Sequence, residues 1–270
     1  MDHDAEVVGH YEDRFDESAR LRSGAGLLEL LRTQEVIERH VALDSSRIID
    51  IGGGPGVYAS WLAGLGHDVV VVDPVPRHVA AAGALTPSRG SIVAGLGDAR
   101  SLDFRDDSFD AAVMLGPLYH LLDRPDRVRA WAEARRVTRA GGVVVGATIS
   151  RFASIHDGLS QGWLDDEAFA QIAADDMQSG KHVNPSRRPE WFTSAYFHRP
   201  EEIAAEAEEA GMTAVELIGV EGTLGWVSDL DRRLSDPVRR RRILNALGAI
   251  ESEPSLIGVS AHILAIGNVR

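Results

Sequence analysis

Four consecutive valines between two aspartates, Asp68-Val69-Val70-Val71-Val72-Asp73, constrain the fold more than any other stretch of this 270-residue chain. A β-branched run without polar alternation reads as a strand covered on both faces, and such strands belong to parallel sheets with helices on either side. Upstream, Arg47-Ile48-Ile49-Asp50-Ile51 is a short apolar run ended by a glycine cluster, and a helix follows from about Val57 to Leu65, closed by Gly66. Ser91-Ile92-Val93-Ala94 is a weaker third strand and Phe109 to Leu115 a fourth. A helix from about Arg124 to Thr138 ends at Ala140-Gly141-Gly142, before a fifth strand from Val143 to Ile149. Alternation of strands and helices over residues 46–150 predicts an α/β fold with a doubly wound parallel sheet.

The flanking thirds read differently. Residues 1–45 form an N-terminal helical cap, in which Leu27 to Val41 keeps apolar side chains at three- and four-residue spacing. The remainder, 46–270, carries insertions at about 151–195 and 222–254, long enough to fold as helical lids. Between and after them lie a helix (Arg199 to Gly211), a strand (Thr213 to Val220) and a final strand (Ser260 to Ile266), which puts a hairpin on the sheet edge. The charge balance, 28 basic against 41 acidic residues, gives a net −13 and argues against nucleic acid and anionic membranes as partners. The absence of cysteine excludes disulfides, thiolate metal sites and cysteine nucleophiles. An acidic start, Met1-Asp2-His3-Asp4, is unlike a secretory signal, and the apolar runs are too short to cross a bilayer, so a cytoplasmic location is expected.

The turn Asp50-Ile51-Gly52-Gly53-Gly54-Pro55-Gly56 joins the first strand to the first helix. Glycines there let the backbone bend and let a ligand approach, and the helix N-terminus adds unpaired N–H groups. Asp73 ends the second strand, where a carboxylate can accept both hydrogen bonds of a ribose diol. NAD and S-adenosylmethionine both carry that diol, and the glycine spacing alone does not separate them. Gly97-Asp98-Ala99, after the third strand, adds an acid at the rim beside an adenine ring and favours the second.

These segments, with Asp107-Ser108-Phe109-Asp110, Leu115-Gly116-Pro117-Leu118-Tyr119-His120-Leu121 and Arg136-Val137 to Gly141-Gly142, resemble the class I S-adenosylmethionine-dependent methyltransferases, in their bacterial small-molecule branch. The resemblance covers residues 47–149 and implies a Rossmann-like seven-stranded sheet whose last strand is antiparallel. It implies that Gly52, Gly54 and Gly56 approach the methionine and ribose portions of S-adenosylmethionine. Asp73 would then hold the ribose hydroxyls, Asp98 and Ala99 would face the adenine, and Leu115 and Gly116 would line the sulfonium.

Beyond the cofactor, Tyr11 and Arg20 of the cap are candidates for its carboxylate, Arg14 being a further arginine there. His120, just past the fourth strand, is the candidate general base, since an imidazole with a pKa near ~6.5 accepts a proton at neutral pH. Tyr119, His156, His182, Tyr196 and His198 are candidate substrate contacts if the first insertion closes as a lid. No metal is expected, because these histidines lack a ligand-like His-x₃-His spacing. Glu221 reads as an ordinary turn acid, and Arg239 to Arg242 as the solvated side of an amphipathic helix. The expected activity is methylation of O, N or C of a small molecule. An RNA or protein methyltransferase, a NAD-dependent oxidoreductase and a cofactor-binding domain without methyl transfer are the alternatives. A homodimer is compatible with all of these.

Overall fold

A computed structural model describes residues 9, 17–41 and 45–270. In chain order it contains α1 (Gly24–His40), β1 (Arg47–Ile51), α2 (Val57–Leu65), β2 (Asp68–Asp73), α3 (Pro76–Gly83), β3 (Ser91–Leu96) and β4 (Phe109–Met114). A helical turn, Pro117–His120, leads to α4 (Arg124–Val137) and β5 (Thr138–Ser150). The first insertion holds α5 (Ala153–Gln161), α6 (Glu167–Ser179) and the strands β6 (Lys181–His182) and β7 (Ala195–His198). Then come α7 (Pro200–Glu209), β8 (Thr213–Gly219), α8 (Leu230–Ser235), α9 (Pro237–Gly248) and β9 (His262–Asn268).

Strands β3, β2, β1, β4 and β5 pair in that order, all parallel. β9 lies antiparallel between β5 and β8, which gives the seven-stranded sheet with a reversed last strand. A hairpin that periodicity does not announce extends it: β7 pairs with Ile149 and Ser150 of β5 beyond the end of β4, and β6 pairs with β7. Two- and four-residue strands are too short to carry a readable alternation.

Side chains of β1 and β2 alternate between two cores, as the pleat requires. Ile49, Ile51 and Val72 face one core, closed by Trp131 of α4 and Ile203 of α7. Ile48, Val69 and Val71 face the other, closed by Ala59 and Leu62 of α2 and by Val36 and Ile37 of α1. The apolar stripe of α1 is therefore a packing layer of the sheet. Among the described residues no helix is long and apolar enough to cross a membrane. The parallel strands all end on one edge, where ligands of open α/β sheets bind.

Candidate functional site

Gly52, Gly54, Asp73, Asp98, Ala99, Leu115, Gly116, Tyr119 and His120 line a single cavity of about 190 Å³ at the carboxyl ends of β1 to β4. Each of these positions is among those expected from the sequence. Gly52 and Gly54 have φ of 69° and 55°, a left-handed backbone that glycine adopts without strain. A Cβ built at Gly54 would meet only the His78 ring, at 3.9 Å, so the chain there faces open cavity. Gly52 is glycine for another reason as well, since a Cβ would lie 2.5 Å from the Pro117 ring. Gly56 does not line the cavity, contrary to expectation. It precedes α2 with φ of 88°, and a side chain there would strike Leu85 Cδ1 at 2.8 Å. Its glycine serves packing between α2 and the segment after α3.

Three carboxylates stand in or at this cavity in different states. Asp73, 4% exposed, accepts hydrogen bonds from the Gly54 N–H (2.9 Å) and the Val75 N–H (2.9 Å), and its Oδ1 lies 3.1 Å from His78 Nδ1. It thereby ties the glycine turn to the end of β2. Asp98 is half-exposed and held by Arg100, whose Nη2 lies 2.6 Å from Oδ2, while Nη1 of the same arginine reaches Asp126. Hydrogen bonds from Arg100 keep the Asp98 carboxyl below its ordinary range. Asp50 is fully buried, lines the cavity, and neither of its oxygens has a hydrogen-bond partner among the described residues. Burial, reinforced by the nearby Asp73 charge, pushes its pKa up from 3.8 to about 7.

At the far end of the cavity, Tyr119 donates from its hydroxyl to the Leu115 carbonyl (3.1 Å), which fixes the ring over the end of β4. His120 packs edge-on to Tyr119 and stacks on Phe192, with centroids 4.7 and 5.9 Å apart. Leu21, His78 and Val75 also line the cavity. Nothing in the sequence distinguishes these three, though His78 lies five residues beyond Asp73, in the first turn of the helix that follows it.

Four of the expected substrate contacts lie elsewhere. His182 is 2% exposed and uses both ring nitrogens, Nδ1 toward Asp176 (2.8 Å) and Nε2 toward the Trp191 carbonyl (2.7 Å). His198 is fully buried beside Glu206, and Tyr196 lies under the guanidinium of Arg127, 3.7 Å from its ring centroid. His156 stacks on Trp226 (5.1 Å). Each is engaged with residues that do not line the cavity. Arg20 is likewise absent from the cavity lining and pairs with Glu29, Nη2 to Oε1 at 2.8 Å. Tyr11 and Arg14 lie outside the described residues. Arg239, Arg241 and Arg242 are exposed on α9, as a solvated face requires.

Glu221 is no ordinary turn acid. It is 1% exposed and accepts from Ser260 Oγ (2.8 Å), the His262 N–H (3.0 Å) and His262 Nδ1 (2.5 Å). Glu29 Oε2 lies 3.6 Å from the same nitrogen. Burial disfavours the imidazolium, but the two carboxylates outweigh it and raise the His262 pKa to about 9. With the folded value above the ordinary 6.5, the protonated ring stabilises the protein fully below pH 6.5, and that contribution is lost as pH rises through 9. Thermal unfolding should show a loss of about 2–3 kcal/mol over that window, and His262→Gln should flatten it. An unchanged slope in the variant would remove His262 as its cause.

A family model described as a methyltransferase domain matches residues 49–146, which contain every lining residue of the cavity except Leu21. An uncharacterised methyltransferase of Mycolicibacterium vanbaalenii is 40% identical over 99 residues, 36% of this chain and 37% of the relative. A ubiquinone biosynthesis O-methyltransferase of Methylobacterium nodulans is 27% identical over 195 residues, 67% of this chain and 66% of its own. The match thus spans little more than a third of the first of these relatives and about two thirds of the second. A SAM-dependent methyltransferase from Methanosarcina mazei shares the fold at a TM-score of 0.58 and 18% identity, over 87% of this chain and 96% of that one. The sheet order, the glycine turn with its three acids and the methyltransferase domain matched over residues 49–146 support a class I S-adenosylmethionine-dependent methyltransferase.

Proposed function

We propose that the protein uses S-adenosylmethionine to methylate an O, N or C atom of a small molecule. The observation that carries the reading is the Asp50 carboxylate, buried in the cavity wall without a hydrogen-bond partner among the described residues. A buried charge of that kind calls for a cation beside it, and S-adenosylmethionine brings a sulfonium and an ammonium. The residues therefore fit the group. Asp73 keeps an acceptor position for the ribose hydroxyls beyond its bonds to Gly54 and Val75. Asp98 and Ala99 border the adenine end, while Leu115 and Gly116 border the end that carries the methyl group. When bound, the sulfonium supplies an electrophilic methyl group to an aligned nucleophile. His120, at that end of the cavity, is placed to take a proton from the acceptor. Tyr119 and Phe192 hold its ring in place.

The small-molecule acceptor is supported by the net charge of −13, which opposes polyanionic substrates, and by the small-molecule pathway for which the O-methyltransferase relative is named. Calorimetric titration tests the reading: S-adenosylmethionine should bind saturably and NAD at the same concentration should not. Asp73→Ala should weaken that binding at least tenfold without changing the fold, because charge-assisted bonds are worth roughly 1.5–3 kcal/mol each. Tighter binding of NAD, or an Asp73→Ala dissociation constant equal to that of the wild type, would sink the reading.

A further inference from the structure

Asp98 borders the adenine end of the cavity, and among the described residues every hydrogen bond to its side chain comes from one neighbour, Arg100. Oδ1 accepts from the Arg100 backbone N–H (2.8 Å) and from Nε (3.0 Å). Oδ2 accepts from Nη2 (2.6 Å) and again from Nε (3.1 Å). A carboxylate offers about four acceptor positions, so Arg100 alone covers both oxygens that an adenine amino group would need. Arg100 also lines the cavity, which places this contact where the ligand goes.

The backbone around the pair is held independently of it. The Gly97 N–H donates to the Asp73 carbonyl (3.2 Å) and the Ser101 N–H to the Asp98 carbonyl (3.0 Å). The Leu102 N–H donates to Glu133 Oε2 of α4 (2.7 Å). A Cβ at Gly97 would lie 2.6 Å from Val72 Cγ1, so this loop packs directly on the end of β2. The guanidinium is less confined. Its Nη1 donates to Asp126 Oδ2 of α4 at 2.9 Å, and the Asp98 and Asp126 side chains are 46% and 41% exposed. A rotation of the Arg100 side chain can therefore open Asp98 while Asp126 keeps the cation paired, and the backbone need not follow.

We propose, resting on the methyltransferase reading above, that Arg100 sets how strongly the cofactor's adenine is recognised: its guanidinium lies over Asp98 as a latch that the adenine amino group must displace. The exchange replaces a bond between two charges by one from a neutral amino group, which is the weaker of the two. The latch therefore lowers affinity, and with it the discrimination between a purine that carries the amino group and one that does not. Salt should act against the latch. A partly exposed ion pair weakens as ions screen it, so discrimination should grow with ionic strength.

The experiment titrates the full chain by calorimetry with S-adenosylhomocysteine and with S-inosylhomocysteine, in which an oxygen replaces the amino group. The two probes share their ribose and amino-acid portions, so the ratio of their affinities cancels whatever salt does there. Arg100→Met, which keeps the length of the side chain, should raise the preference for S-adenosylhomocysteine about fivefold, the scale of a partly exposed ion pair. Asp126→Asn takes away a carboxylate that pairs the cation once it leaves Asp98, and should lower the preference. In the wild type the preference should rise as potassium chloride approaches about 1 M, where charges are screened within about 3 Å, and in Arg100→Met it should stay level. An equal or smaller preference in Arg100→Met overturns the proposal, as does a wild-type preference that is flat or falls with salt, or one that rises in Asp126→Asn. If Arg100→Met does not fold, the salt series on the wild type decides. Failure of S-adenosylhomocysteine to bind the wild type would overturn the methyltransferase reading and this inference with it, whereas saturable binding with an unresponsive ratio removes the latch alone.

Discussion

Replacing Asp50 with asparagine should make the protein more stable and a worse binder at the same time. In the folded, ligand-free chain the Asp50 carboxyl titrates at about 7 instead of 3.8. A raised carboxyl pKa costs nothing below pH 3.8, and the penalty grows as pH rises to 7 and stays at its full value above it. Asparagine removes that charge, so at pH 8 the variant should gain stability on the order of 2 kcal/mol, a rise of several degrees in melting temperature. At pH 4 the two proteins should melt together. Affinity for S-adenosylmethionine should move the other way, falling by at least tenfold, because the variant can no longer meet a cationic ligand with a charge. Wild-type affinity should weaken as pH drops through 7, and the variant's should not. Calorimetry and thermal unfolding across that range check both halves. A variant that binds as well as the wild type would separate Asp50 from the ligand.

The largest loss of stability is expected from Arg127→Ala. This arginine is 1% exposed, and its Nη2 lies 2.7 Å from Glu206 Oε1. Its Nη1 donates at 2.9 Å to the carbonyls of both Leu121 and Leu122, and Tyr196 covers its face. Truncation would leave Glu206 buried with only His198 and, at 4.0 Å, the half-exposed Arg124 near it among the described residues, and would strand two carbonyls. Breaking a buried pair by removing one partner costs about 3–5 kcal/mol. Urea unfolding should show that loss at constant m-value. Because Leu121 lines the cavity immediately after His120, cofactor affinity should fall as well. Glu206→Gln, which keeps acceptors for the guanidinium, should cost less than Arg127→Ala. If the alanine variant loses under 1 kcal/mol, the pair contributes little and the surrounding apolar contacts hold this corner of the fold.

Most of the sheet is legible in the sequence because its signals are local. The valine run of β2 and the helix from Val57 to Leu65 occupy the residues that β-branching and the closing Gly66 indicate. Helix α3, Pro-Arg-His-Val followed by three alanines and a glycine, carries no wide apolar stripe, and a pattern search passes over it. Site residues divide along the same line. Asp73, Asp98 and the backbone of Gly52 and Gly54 are set by strand ends and a turn, so position in the chain locates them. His182, Tyr196 and His198 look equally chemical, but their roles depend on Asp176, Arg127 and Glu206, partners that only the packed insertion brings beside them. The same holds for Glu221, whose ties to Ser260 and His262 cross some forty residues of sequence.

The reversed strand β9 also bears on how the chain is made. It hydrogen-bonds along β5 from Val143 to Ile149 and along β8 on its other side, contacting β5 across more than a hundred residues of sequence. On the ribosome, both neighbours emerge before the strand that joins them. In that interval β5, rich in valine and isoleucine, presents an unpaired edge of the kind that templates aggregation. The glycine turn, Asp50, Asp73 and His120 are by then already outside the exit tunnel with their own strands. The strands that carry the cavity thus precede the one that completes the sheet, and the β5 edge stays open until β9 arrives.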